Sequence, residues 1–266
     1  MPWAQIGDNV IGEFSGDKFG GSISLSDDGS IIAIGAPDND GNGKESGHVR
    51  VFKNIDNTWT QIGEDINGEA AYDNSGSSIN LSSDGSYVSI SAPRNDSIAT
   101  TRLWVNGKYG HVRVFKNIDN TWAQIGEDID GEARGNLSGV HSLSDDGSII
   151  AIGSGSNSEK ARTAGHVRVF KNIDDAWIQI GEDIDGEAAG DRSGTSVSIS
   201  GDGSIVAIGA PWNNGGGKQS GHIRIYKNTE GTWTQIGNDI DGESSPDAPD
   251  NLGSTVCLSN DGSIVA

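Results

Sequence analysis

The chain has 266 residues with 18 Lys and Arg against 38 Asp and Glu, and its formal net charge of -20 withholds the cationic surface that nucleic acid or an anionic membrane face requires. The one cysteine, Cys257, excludes a disulfide framework and a thiolate metal centre. No apolar run is long enough for membrane insertion as a helix, and the sequence shows no secretory signal.

From its first residues the chain repeats itself. The tryptophan of W-x-Q-I-G recurs at Trp3, Trp59, Trp122, Trp177 and Trp233, and a second marker, D-G-S, recurs around Gly29, Gly85, Gly147, Gly203 and Gly262. A fixed period of this size outranks local readings, so residues 1–266 are read as a single repeat domain with units starting near 3, 59, 122, 177 and 233. Within the unit that begins at Gly194, "GTSVSIS" predicts a first strand, "GDGS" a tight turn and "IVAIGAP" a second strand; a Gly/Asn loop follows, then "GHIRIYKN" and "TWTQIGNDI" as third and fourth strands. No segment has a helical period, and 40 glycines punctuate the joints.

Tandem four-stranded antiparallel units predict an all-β fold, a β-propeller of about five blades with the last incomplete, in which small residues of "AIGAP" let sheets approach closely and the repeated Trp, Ile, Val and Phe fill each core. The chain starts on a fourth strand and stops after a second, so it contains four third strands against five of every other kind. The expectation is either a ring with one defective blade or a fragment of a larger propeller, with an exposed edge open to edge-to-edge self-association.

The stretch 19–54 resembles an FG-GAP repeat, the unit of the integrin α-chain propeller: Phe19-Gly20 matches FG and Gly35-Ala36-Pro37 matches GAP. Elsewhere FG becomes Ser-Gly or Leu-Gly, and GAP becomes Ser91-Ala92-Pro93 and Gly153-Ser154-Gly155. The resemblance implies an extracellular or cell-surface adhesion module. It does not carry the integrin calcium loop across, because the hairpin here has shrunk to "SDDGS" or "SSDGS", too short to supply the six to eight oxygens of a calcium ion.

The residues also bear on chemistry. His48, His111, His166 and His222 recur before the third strand, too far apart in a propeller to share one metal, and no G-x-S-x-G, P-loop or H-E-x-x-H occurs, so the chain is expected not to be an enzyme. Strand parity puts the short turns on one face; the long loops at 38–46, 94–109, 154–164 and 212–220 and the acidic inter-repeat stretches lie on the other, the expected binding face. There Trp104, Tyr109, Trp212, Arg94 and Asp96 are the candidate contacts for a protein or glycan ligand. Two oxygen sets are candidates for calcium: Asp38, Asp40 and Asn42 in the first long loop, and the alternating Asp183, Asp185 and Glu187, which recur as Asp128, Asp130, Glu132 and as Asp239, Asp241, Glu243. The rival functions are a hydrolase or lyase acting on polysaccharide and an intracellular scaffold.

Overall fold

The computed structural model describes residues 3–96, 109–132, 139–243 and 249–266, and contains no helix among them. Four antiparallel sheets follow one another along the chain. The first orders Ser22–Leu25, Ile31–Ala36, His48–Ile55 and Thr58–Gln61, with Ile66–Asn67 pairing back onto the third strand. The later sheets repeat this plan, with third strands at His111–Ile118, His166–Ile173 and His222–Thr229, and residues 252–266 begin a fifth unit through the bridge between Leu258 and Val265. The fold is therefore an all-β, propeller-like succession of blades.

The D-G-S hairpins form for a local reason that recurs in every copy. In the first, Asp28 Oδ1 accepts hydrogen bonds from Ser26 Oγ (2.8 Å) and the Ser30 amide (2.9 Å), while Ile31 N–H donates to Ser26 Oγ, and Gly29 supplies the positive φ of 71°. These turns gather around the axis. Asp27 N–H donates to Ser83 O, Ser83 N–H to Asp145 O, Asp145 N–H to Gly201 O, and Gly201 N–H to Asn260 O, so a row of backbone bonds steps through all five repeats.

The fourth strand departs from expectation. "TWTQIGNDI" is not one strand but two short pieces, Thr232–Gln235 and Ile240–Asp241, and in the first sheet likewise Thr58–Gln61 pairs with the far half of the third strand and Ile66–Asn67 with its near half. The break falls at Gly63, whose φ of 75° interrupts the pleat. The next repeat makes use of the break. A Cβ on Gly63 would stand 2.6 Å from Trp122 Cδ1, and Trp122 Nε1 donates to the Ile62 carbonyl at 2.9 Å. Trp59, Trp177 and Trp233 make the same bond to Ile6, Ile125 and Ile180. The repeated tryptophans are thus half-buried staples between blades, Trp122, Trp177 and Trp233 packing against the core clusters as expected, while Trp3 stands wholly exposed.

The core lies between consecutive sheets. Ala33, Val49 and Val51 of the first pack on Ile79, Leu81, Val88 and Ile90 of the second, and equivalent clusters join the second to the third and the third to the fourth. The second-strand glycine of "AIGA" permits the approach: a Cβ on Gly35 would lie 2.2 Å from Gly76 O of the following repeat, and Gly153 and Gly209 meet Gly194 and Gly253 in the same way.

The first sheet presents the inner-strand face that a preceding repeat covers in the others. Ile23 and Leu25 are 58% and 54% exposed, whereas their counterparts Ile79 and Leu81 are 6% and 9% exposed. Leu81→Ala should therefore lower stability by about 2–5 kcal/mol, and Leu25→Ala by about 1 kcal/mol or less. Urea denaturation of the two variants checks this, and equal losses would show that the first face is covered in solution.

Candidate functional site

The loops of the variable face are pinned to one another. Asp73 Oδ2 accepts from the Ala70 amide and from Asn95 Nδ2 (3.0 Å), and Asp191 Oδ2 likewise from Ala188 and Asn213, all within buried side chains. Inter-repeat segments among the described residues are also bonded to the loop of the preceding blade, as Tyr72 N–H is to Lys44 O, Arg192 N–H to Thr163 O and Asn251 N–H to Gln219 O. The face is therefore a set of latched loops over rigid sheets. On it Trp212 is 39% exposed and carries the Arg192 guanidinium 3.6 Å from its ring centre, a cation stacked on an indole.

The other residues singled out from sequence fall as follows. Arg94 and Asp96 are exposed on the equivalent loop of the second blade, and Tyr109 is half-buried at its end, while Trp104 lies outside the described residues. The oxygens of Asp38, Asp40 and Asn42 do not converge: Asp38 pairs with Lys18 at 2.7 Å, Asp40 accepts from the Glu45 amide, and Asn42 donates to Gly68 O. Asp183 and Asp185 line one groove, but the three carboxylates Asp183, Asp185 and Glu187 take separate partners. The strand there is only Ile184–Asp185, so Asp183 turns to His166, Asp185 to Lys160, and Glu187 to His222 and Arg224.

Between blades the structure assembles a second constellation, which the sequence reading passed over. The third-strand histidine is buried in every sheet, and two residues on, along the same side of the strand, is an arginine. In the seam between the second and third sheets His166 Nδ1 lies 3.3 Å from Asp183 of its own blade and 3.8 Å from Glu132 of the preceding one. Arg168 Nη1 is 3.4 Å from Glu132, its Nη2 donates to Asp130 O at 2.6 Å, and its guanidinium stacks on Phe170. His111 with Asp128, Glu69 and Arg113 repeats the arrangement, as does His222 with Asp239, Glu187 and Arg224. The sequence signal was present in the His-x-Arg spacing of "GHVRVF" and the Glu of "GEA", which are residues of one cluster only once adjacent repeats are packed.

Outside the clusters of His111 and His222 the seam opens into a groove. Asp65, Asn67, Arg113, Phe115 and Trp122 line one of about 420 Å³, and Asp183, Asp185, Arg224, Tyr226 and Trp233 line another of about 560 Å³. An aromatic edge, a guanidinium and carboxylates meet in each.

Burial pushes His48, His166 and His222 below the ordinary imidazole value, overriding the pull of nearby carboxylates, and full burial takes His141 down to about 4. His141 stands where the second and fourth sheets have Ile79 and Val197. A neighbouring carboxylate behaves in the opposite way: the His111 ring, then the Gln124 amide, hold Asp128 at about 2 against the effect of burial. Histidines in the unfolded chain protonate near 6.5 while the folded ones stay neutral, so this stability is fully present above pH 6.5 and is lost as pH falls toward 4. The contribution of Asp128 is lost only below about pH 4. Urea midpoints should therefore fall between pH 7 and 4.5, and His141→Gln should flatten that fall; an unchanged slope in the variant would refute the assignment.

Comparison with known proteins fits this geometry. The sequence model of the FG-GAP repeat matches residues 14–52 and 184–226. No curated protein matches the sequence. Among solved structures, a "putative 6-phosphogluconolactonase" from Bacteroides uniformis superposes with a TM-score of 0.54 at 16% identity, over 84% of this chain and 55% of its own. The periplasmic gluconolactonase PpgL of Pseudomonas aeruginosa gives 0.48 at 14% identity, over 85% and 57%, and a "putative TolB" from Agrobacterium tumefaciens gives 0.46 at 12%, over 84% and 62%. The chain spans about half the length of the two lactonase-named structures. The likeness to the first is one of fold. It corrects the expectation that the chain is not an enzyme: a propeller of this architecture bears a lactonase name, so neither the architecture nor the lack of a short catalytic motif excludes hydrolysis.

Proposed function

We propose that this FG-GAP repeat propeller recognises a glycan or protein ligand on its variable-loop face, as part of an extracellular or cell-surface protein. The observation that carries the reading is the Arg192–Trp212 stack, a large aromatic left 39% exposed on a latched loop that no sheet core requires. An indole held in place loses little conformational freedom on binding and offers an apolar face with a polar edge. The net charge of -20 favours neutral or basic ligands and steers anionic ones away. FG-GAP repeats are a common unit of extracellular proteins, which supports the compartment.

Trp212→Ala should weaken binding to whichever ligand a glycan array or protein-partner screen returns, with a loss of about 2 kcal/mol or more in affinity and little change in melting temperature. Wild-type binding by the variant would overturn the reading. A second reading, hydrolysis of a sugar lactone, rests on the name of the Bacteroides uniformis neighbour. Acid release from 6-phosphogluconolactone and gluconolactone in a pH-stat, above the spontaneous rate, would establish it.

A further inference from the structure

The four seams are not equivalent, and the difference lies in one loop. In the first and fourth sheets Asn39 Oδ1 and Asn213 Oδ1 accept from the amides of Gly41 and Gly215; in the third sheet Asn157 Oδ1 accepts in the same way from Glu159. A carboxylate therefore stands where two sister loops have glycine. It is directed into the seam, where an oxygen of Glu159, an oxygen each of Glu132 and Asp183, and a nitrogen of His166 all lie within 4.8 Å of one another. The corresponding groups in the other seams have three members, Glu13, His48 and Asp65 being one of them.

An acidic cluster alone would be a solvated surface. Here a histidine only 1% exposed is aimed into it, and neither of its ring nitrogens has a hydrogen-bond partner among the described residues. Its Nδ1 is 3.3 Å from Asp183 and 3.8 Å from Glu132 without the alignment of a hydrogen bond. Arg168 takes up the Oε1 side of Glu132 at 3.4 Å, which leaves Oε2 facing His166.

We propose that Glu132, Glu159, His166 and Asp183 form a binding site for a divalent transition cation of the zinc or manganese class. One imidazole nitrogen with three carboxylates suits these ions, whereas calcium takes six to eight oxygens. Ligands held about 2.0–2.2 Å from zinc stand roughly 3.3–3.5 Å from one another in a tetrahedron, so the observed set closes on an ion by small side-chain rotations. Two ligands come from the third sheet, one from its loop and one from the preceding repeat, so the ion would tie the second blade to the third.

The test uses the full chain, with zinc chloride as the probe, followed by thermal melting and calorimetric titration. Zinc should raise the melting temperature by roughly 5 °C at a hundredfold excess over Kd, with one strong site per chain, and calcium at matched ionic strength should not. Cobalt(II) should give a visible absorption band whose intensity reports a low-coordinate site. Glu159→Gln, an exposed position outside the core, should weaken zinc binding at least about tenfold, and His166→Gln should do the same if it folds. Equal stabilisation by calcium, wild-type affinity in Glu159→Gln, or four equivalent sites per chain would each overturn the proposal.

Discussion

An indole N–H, a backbone carbonyl and a glycine that lacks a Cβ meet at four places along this protein, where Trp59, Trp122, Trp177 and Trp233 reach the preceding repeat. The tryptophan of one repeat reaches back to the isoleucine carbonyl of the one before, and it can do so only because the next residue is glycine in a left-handed conformation with its side-chain space vacant. That single contact explains several others. It sits at the glycine that breaks the fourth strand in two, and the break lets the chain return as a short outer strand beside the histidine end of the third. There the following acidic segment meets the imidazole and the guanidinium of the next blade. Apolar packing supplies the bulk of the burial between sheets, but it is not directional; the indole and guanidinium bonds to carbonyls fix the angle at which one sheet follows the next.

The same junctions position the surface. Because the inter-repeat segments around Asp73 and Asp191 are bonded to the loop on either side of them, those loops are carried by backbone and Asp–Asn bonds and their remaining side chains are left for other uses. Trp212 on the variable face and Glu159 in a seam are both such side chains, each standing on the frame provided by a buried asparagine, Asn213 in one case and Asn157 in the other. Divergence between copies is therefore concentrated at positions that the frame does not require.

Much of the architecture was legible in the sequence. The period placed the sheets, Asp-Gly-Ser placed the hairpins, and strand parity separated the faces, since each of these signals lies within one repeat. The seam was not legible, because Trp122 and Gly63, or His166 and Glu132, are brought together only by packing one repeat on the next. The alternation of Asp183, Asp185 and Glu187 suggested one shared cation, but the strand there is two residues long and each carboxylate takes its own partner. Glu159 gave no local signal at all; its meaning comes from the glycines at the same place in sister loops.

The backbone bonds between axial turns all run in one sense, from the amide of each turn to the carbonyl of the next. Aligned peptide dipoles reinforce one another, as along a helix, so the row has an acceptor end at Asp27 and a donor end at Asn260. The uncovered Ile23 and Leu25 lie at the first of these ends and the exposed Ile264 at the other. The arc of blades is thus a directional object, with a head and a tail that differ in chemistry. A further repeat docking on it must arrive in the same orientation as its predecessors, so growth by such contacts runs head to tail and never head to head.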